Sequence, residues 1–323
     1  MKNYPSIFND AVGPVMRGPS SSHCAASLRI GRICRDLMEN NIEDVLVEFD
    51  PNGSLATTHK GQGSDMGLFS GLLGWAADDE RLPNYLQGVE DAGIKIRIEI
   101  HSIGATHPNT YKITLSNKDE THELTAISTG GGMIEVIQID GATVSMAGDY
   151  CETLIYVTSP STIIAFLEQS DFQFDEIQIH HGTSIYIEIK ASTFLPKGLC
   201  DELLIMEEVR FIKTIASVLP IKARKNLTVP FITVEELLEY NKDKDLKLWE
   251  LAIHYESARG NISHEEVFDK MHEIVEIMQK SIISGLNGTH YEDRILGSQS
   301  VNFKKKMDQR KLVEGDVLNN SVM

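Results

Sequence analysis

Apolar residues recur at two periods along this chain, and the changes of period mark its organisation. Between Ile94 and Ile100 every second residue is isoleucine, with Lys95, Arg97 and Glu99 in between. That alternation predicts a half-buried strand over Ile94 to His101. Asp44 to Phe49 reads as a strand ending at the turn Asp50-Pro51-Asn52-Gly53. Tyr111 to Leu115 and Glu123 to Ser128 predict further strands. Gly130-Gly131-Gly132 interrupts a strand-rich region ending near Gly141. The helical period covers Cys24 to Met38. It returns over Ser64 to Ala77, with Met66, Leu68, Phe69, Leu72 and Leu73 on one face. Residues 1–150 are therefore expected to form one α+β domain.

A second pattern runs from 152 to 221. Thr153 to Thr158 predicts a strand, and Pro160 to Gln169 a helix opened by proline. Glu176 to His180 and Ser184 to Lys190 predict a hairpin through Gly182. Gly198 to Glu208 predicts a helix and Val209 to Leu219 a last strand. The order βαββαβ is that of the ferredoxin-like split unit. From about 228 to 323 the pattern is helical. Thr233-Val234-Glu235-Glu236 and Ser263-His264-Glu265-Glu266 both read as capping boxes. The second opens a long amphipathic helix with Val267, Met271, Ile274, Val275, Met278, Ile282 and Leu286 on one stripe. After Gly288 the chain is polar, without clear periodicity. The apolar stripe needs a partner, or must pack back on its own chain.

Composition narrows the function classes. The 323 residues suffice for two or three domains. A formal charge of −17 argues against nucleic acid or an acidic membrane as partner. Lys304-Lys305-Lys306 with Arg310-Lys311 is the one basic cluster, and it reads as solvated surface. No apolar stretch reaches about 18 residues, so no membrane span is expected. The first residues lack the apolar core of a signal peptide. The four cysteines (Cys24, Cys34, Cys151 and Cys200) are widely spaced with no C-x-x-C pair. That spacing fits a reduced, cytoplasmic protein and supplies no metal motif.

Chemistry is concentrated in four segments of the first 150 residues. Gly18-Pro19-Ser20-Ser21-Ser22-His23 stands where the first helix begins. Free N–H groups and the positive dipole end gather there. The hydroxyls add donors and His23 a titratable group. The assembly reads either as a helix cap or as a site for a small carboxylate or phosphate. Thr57-Thr58-His59-Lys60-Gly61-Gln62-Gly63-Ser64-Asp65 is a flexible loop running into the next helix. His107-Pro108-Asn109-Thr110 precedes a strand. Ser128-Thr129-Gly130-Gly131-Gly132 is a turn, or a place where backbone approaches a ligand. Singly, each has an ordinary loop reading.

In this order and rough spacing, the four segments resemble the β subunit or β domain of the iron–sulfur-dependent L-serine dehydratases. The segment 152–221 resembles an ACT regulatory domain, although Ser159-Pro160-Ser161 replaces the usual acidic residue and glycine. That leaves effector binding and a structural or dimerising role both open. The stretch from Phe231 to about Lys306 resembles the opening of the family's α, or catalytic, part. The resemblance implies deamination of L-serine to pyruvate and ammonia. It implies His23 as a catalytic residue, with Ser20, Ser21, Ser22, Lys60, Asn109, Gly130, Gly131 and Gly132 binding substrate. It also implies a [4Fe-4S] cluster whose cysteine ligands lie in an α-type subunit or C-terminal region beyond this sequence. A homo- or hetero-oligomer follows.

Two departures stand out. Gln62 occupies the place of a histidine usual after Lys-Gly, and Cys24 that of a threonine. A non-catalytic amino-acid-binding or regulatory protein, or a lyase for another β-hydroxy amino acid, are the alternative expectations.

Overall fold

Backbone laid on backbone organises the first part of the structure. This is a computed structural model, which describes residues 4–13, 15–225, 227–288 and 298–309. Helix α1 (Ser21–Leu37) and helix α3 (Ser64–Leu72) meet at three glycines. A Cβ on Gly67 would come 2.0 Å from the Cys24 carbonyl oxygen, and one on Gly71 2.1 Å from that of Leu28. A Cβ on Gly31 would come 2.3 Å from the Leu68 carbonyl oxygen. Only glycine permits this approach. The pairs run in step, Cys24 with Gly67 and Leu28 with Gly71, so the two helices are parallel. Their N-termini lie side by side.

The helices cover one six-stranded sheet. It is formed by β1 (Asp44–Phe49), β2 (Lys95–Ile100), β3 (Thr110–Ser116), β4 (Thr121–Gly130), β5 (Met133–Ile139) and β6 (Ala142–Met146). The order is β2-β1-β3-β4-β5-β6. Only β1 and β2 pair in parallel; the remaining pairs are antiparallel. Ile30, Ile33 and Leu37 of α1 and Leu68 and Leu72 of α3 pack on Val45, Val47, Ile113, Leu124 and Val136. Short helices α2 (Leu55–Thr58) and α4 (Tyr85–Asp91) complete this part.

Most elements match their expected positions, and the ends differ for local reasons. The helix expected to reach Ala77 stops at Leu72, because Gly74 adopts φ +79° and breaks the α-helical path. The strand-rich region does not end at Gly141. Asp140 and Gly141 both have positive φ and form a tight turn into β6. The Ile94–Ile100 alternation forms an edge strand with Ile100 half exposed.

Next come β7 (Cys151–Val157), α5 (Ser161–Glu168), β8 (Glu176–His181), β9 (Ile185–Ala191), α6 (Lys197–Ile205) and β10 (Val209–Ile215). This is the expected βαββαβ succession, and its sheet order is β10-β7-β9-β8. Its last strand ends four residues short of Leu219. There Ala216 N–H donates to the Asp36 carboxylate and leaves the ladder. One face of the sheet packs Ile155, Ile187 and Ile189 against Ile163, Leu167 and Leu203 of the helices. The other face joins the first core through Leu154, Tyr156, Tyr186 and Ile215. Both sheets therefore belong to one compact unit, Met1–Asp245 with Ala258–Gly260.

That shared layer is rich in charge. Lys213, only 2% exposed, reaches Glu39 at 2.8 Å and Glu120 at 2.6 Å. His122 contacts Asp140 at 2.8 Å, and Tyr156 Oη donates to the same carboxylate. Burial alone would raise the Asp140 carboxyl. The His122 contact, the Tyr156 hydroxyl and the Glu123 amide outweigh it and hold the carboxyl below its ordinary value.

Helix α7 (Val234–Asn241) opens on the expected capping box, with Thr233 and Glu236 bonding reciprocally. Helix α8 (Leu248–Gly260) follows. The second unit comprises Leu246–Ser257 and Asn261–Met323. It carries the long helix α9 (His264–Asn287), capped by the Ser263 hydroxyl accepting from Glu266 N–H at 3.0 Å. Of the polar tail expected over 289–323, residues 298–309 are described. They contain a helix, α10 (Ser300–Asp308), where no periodicity was expected. Its Lys304–Asp308 pair stands at the helix-supporting spacing of four. Arg310 and Lys311 of the basic cluster lie outside the described residues.

Candidate functional site

The topology gathers the four segments at one end of the helix-on-sheet layer. Helix α1 returns through a short turn into β1, so its N-terminus lies at the C-terminal end of β1. Strand β3 runs antiparallel to β1 and therefore begins at that end. Strand β4 runs back and finishes there in the Gly130 turn. Ser20–His23, the 59–65 loop, Asn109 and the glycine turn all belong to this edge.

The closest junction is between the first two segments. Ser20 N–H donates to the Gln62 carbonyl at 3.3 Å. Pro19 lies against Gly63, whose Cβ would meet the proline Cδ at 2.9 Å. Gly63 itself has φ +79°, the left-handed geometry that lets the loop turn into α3. Ser20 is the N-cap residue of α1 but makes no side-chain capping bond. Its Oγ instead lies 2.7 Å from His23 Nδ1. The first N–H groups of α1 are thus left without a side-chain cap, and His23 is oriented with Nε2 directed away from Ser20. An over-provided cap would have shown the opposite arrangement.

The loop 59–65 holds a second imidazole. His59 Nδ1 contacts Asp65 Oδ1 at 2.6 Å, with both side chains buried. Phe49 packs on the His59 ring at 5.2 Å and on Tyr111 at 5.5 Å. The Tyr111 hydroxyl is sealed from solvent with no hydrogen-bond partner in range. Burial pushes it up to about 12 and nearby Asp65 and Cys24 add a little, while the Ser64 and Ser27 hydroxyls act in the opposite direction. Sequence reasoning missed the His59–Asp65 pair and Tyr111. Their types carry a signal, since histidine and aspartate at a spacing of six can meet across a loop, but a strand tyrosine reads simply as core.

Ser21 is exposed and Ser22 half-buried on the first turn of α1. Asn109 is half-buried; its side-chain oxygen accepts from Ser54 Oγ, and its carbonyl accepts from Ser128 N–H at 3.0 Å. Lys60 and Gly61 are exposed, and the Lys60 ammonium has no partner among the described residues. Gly130, Gly131 and Gly132 have φ of +107°, +61° and +85°, three successive left-handed residues. Gly132 is buried against α1: its Cβ would meet Met16 Sδ at 3.0 Å and Ala25 Cβ at 3.6 Å. Its carbonyl accepts from Arg29 Nη1. Ser20–His23 thus meets the 59–65 loop directly. Asn109 and the glycine turn sit on neighbouring strand ends, and the Lys60 side chain stands in solvent.

The cysteines do not form a cluster site. Cys24 and Cys34 are fully buried in the core around α1, and burial pushes the Cys24 thiol up to about 12 and Cys34 higher still. A cluster ligand must be a thiolate. Among the described residues, no three histidines, cysteines or carboxylates stand together to hold a metal. These residues do not fit a [4Fe-4S] group.

Known proteins resemble this chain. The family model for the serine dehydratase beta chain matches residues 12–92. A probable L-serine dehydratase beta chain of Bacillus subtilis (strain 168) is 42% identical over 152 residues, covering 47% of this chain and 68% of that protein. The L-serine dehydratase beta chain of Peptoniphilus asaccharolyticus is 32% identical over 161 residues, covering 49% of this chain and 71% of its own. At this identity and coverage, this chain belongs to the serine dehydratase beta-chain family.

Proposed function

We propose that this chain is the β-type part of an iron–sulfur L-serine dehydratase, which converts L-serine to pyruvate and ammonia together with a separate α-type catalytic part. One observation carries the reading. Ser20 gives up its capping role to hold His23 at 2.7 Å, beside the 59–65 loop and at two parallel helix N-termini. That arrangement favours an anionic small molecule and a positioned proton carrier. Ser21 and Ser22 present hydroxyl and N–H donors to the amino acid. His23 takes part in proton transfer, with Ser20 fixing its ring. Asn109 and the Gly130–Gly132 backbone line the same edge, and Lys60 extends from it toward the partner.

The resemblance assigns the cluster and its cysteines to the α-type part. The names of the relatives, each a beta chain, support a two-part enzyme. So does the stripe on α9, where Val275, Met278 and Ile282 are 42–60% exposed. We assign the α-type part as its cover.

The βαββαβ unit is proposed as an ACT-like module with a structural role. Its helix-free sheet face is buried against the first sheet through His180, Lys190 and Lys213.

The test is anaerobic reconstitution with an α-type chain, followed by an assay of serine-dependent pyruvate formation. Pyruvate from the pair and none from either chain alone is expected. Robust turnover by this chain alone would refute the two-part reading. Tight L-serine binding with no lyase activity from the pair would favour an amino-acid sensor. Faster turnover of L-threonine than of L-serine would reassign the substrate.

A further inference from the structure

Arg29 is 3% exposed, yet no carboxylate of the described residues lies within ion-pair distance of it. Its single hydrogen bond goes to the Gly132 carbonyl. Burial pushes the guanidinium down to about 10, and no acidic neighbour offsets that burial. The other deeply buried arginine, Arg259, differs. It donates to two carbonyls, those of Tyr4 and Lys222, and the Asp149 charge lies nearby. A buried cation without a counter-charge is costly, and proteins normally pair it. Five N–H donors in a planar fork suit a carboxylate, and one donor is in use here.

The position of Arg29 says which anion. Ser22, Ala25 and Arg29 follow one another at i, i+3 and i+7 on one stripe of α1. Helical side chains lean toward the N-terminus. The Arg29 guanidinium does so: it and Ala25 both border the point where a Cβ on Gly132 would stand. That puts the positive charge about one turn below Ser22, under the glycine turn and next to His23's own turn. Met16 Sδ borders the same point at 3.0 Å, while a Cβ on Gly130 or Gly131 would stand in open space.

We propose that Arg29 supplies the counter-charge for the carboxylate of a small amino or hydroxy acid, bound between Ser22 and the Gly130–Gly132 turn. The proposal deepens the reading of this edge as an L-serine site and rests on it. In the free chain, Arg29 also pins the turn through the Gly132 carbonyl.

The experiment is thermal unfolding of the full chain in chloride-free buffer, with added sodium acetate, L-serine or sodium chloride at equal ionic strength. Acetate and L-serine are expected to raise Tm by about 2–4 °C near saturation, and chloride by less. Arg29→Met should abolish the carboxylate effect. Arg29→Gln repeats the test should the first variant not fold. No carboxylate effect in the wild type, an equal effect in the variants, or an equal effect of chloride would each overturn the assignment. Serine turnover of the reconstituted pair is measured in parallel. Unchanged KM in Arg29→Gln would sink this proposal and leave the lyase reading standing. An Arg29-dependent acetate effect without lyase activity would keep the carboxylate site and sink the lyase reading.

Discussion

Gly67 lies directly beneath the Cys24 carbonyl, so close that a Cβ would stand 2.0 Å from that oxygen. The contact fixes the parallel setting of α1 and α3, and with it the meeting of Ser20 with Gln62. Backbone cannot yield as a flexible side chain can. Gly67→Ala is expected to destabilise the chain by about 3 kcal/mol through overpacking. Thermal unfolding measures this. A loss of less than about 1 kcal/mol would show that the helices separate easily.

The Ser20–His23 contact separates positioning from chemistry. Ser20→Ala removes the 2.7 Å contact and leaves the imidazole. In the reconstituted pair it should lower kcat about tenfold with little change in stability, whereas His23→Ala should lower it about 10²–10⁴-fold. Ser20→Thr keeps the hydroxyl and should recover most of the loss. Equal kinetics for all three variants would remove both residues from the site.

Lys60 gives a control of the opposite kind. Its side chain is exposed and unpartnered among the described residues. Lys60→Ala should change the stability of this chain by no more than about 0.5 kcal/mol. Its effect is expected only on serine turnover of the assembled enzyme. A large loss of stability in the isolated chain would mean that Lys60 serves the fold.

The layer between the two sheets predicts a pH dependence. Glu152 is 2% exposed, and both its carboxyl oxygens lack partners. Burial, then the neighbouring Glu188, push its carboxyl well above the ordinary value of 4.5. Burial would raise Glu188 too, but the His180 contact at 2.6 Å and the charge of Lys190 bring it below its ordinary value. Glu176 and Asp149 add negative charge around the cluster. A carboxyl raised on folding contributes stability below its unfolded pKa, and that contribution is lost as pH rises through the folded value. Stability should therefore fall on going from the ordinary glutamate range upward. Glu152→Gln should flatten that fall. Parallel pH profiles for wild type and variant, from denaturant unfolding, would refute the account.

The division between sequence and structure follows the range of the forces involved. Period-2 and period-3.6 patterns report which residues face a core, and they located β1, the α1 register and the βαββαβ succession. Element ends depended on glycines with positive φ, as at Gly74 and Gly141, which a hydropathy pattern does not register. Local order also exposed the Ser20–His23 segment, because hydroxyls, imidazole and a helix start lie within four residues. The segment alone leaves open a helix cap or a small-anion site; in the fold Ser20 Oγ lies on His23 and makes no capping bond. The His59–Asp65 pair, the sealed hydroxyl of Tyr111 and the unpaired charge of Arg29 depend on burial across distant segments. Burial sets the cost of a charge or a lone polar group, and only the tertiary structure decides it.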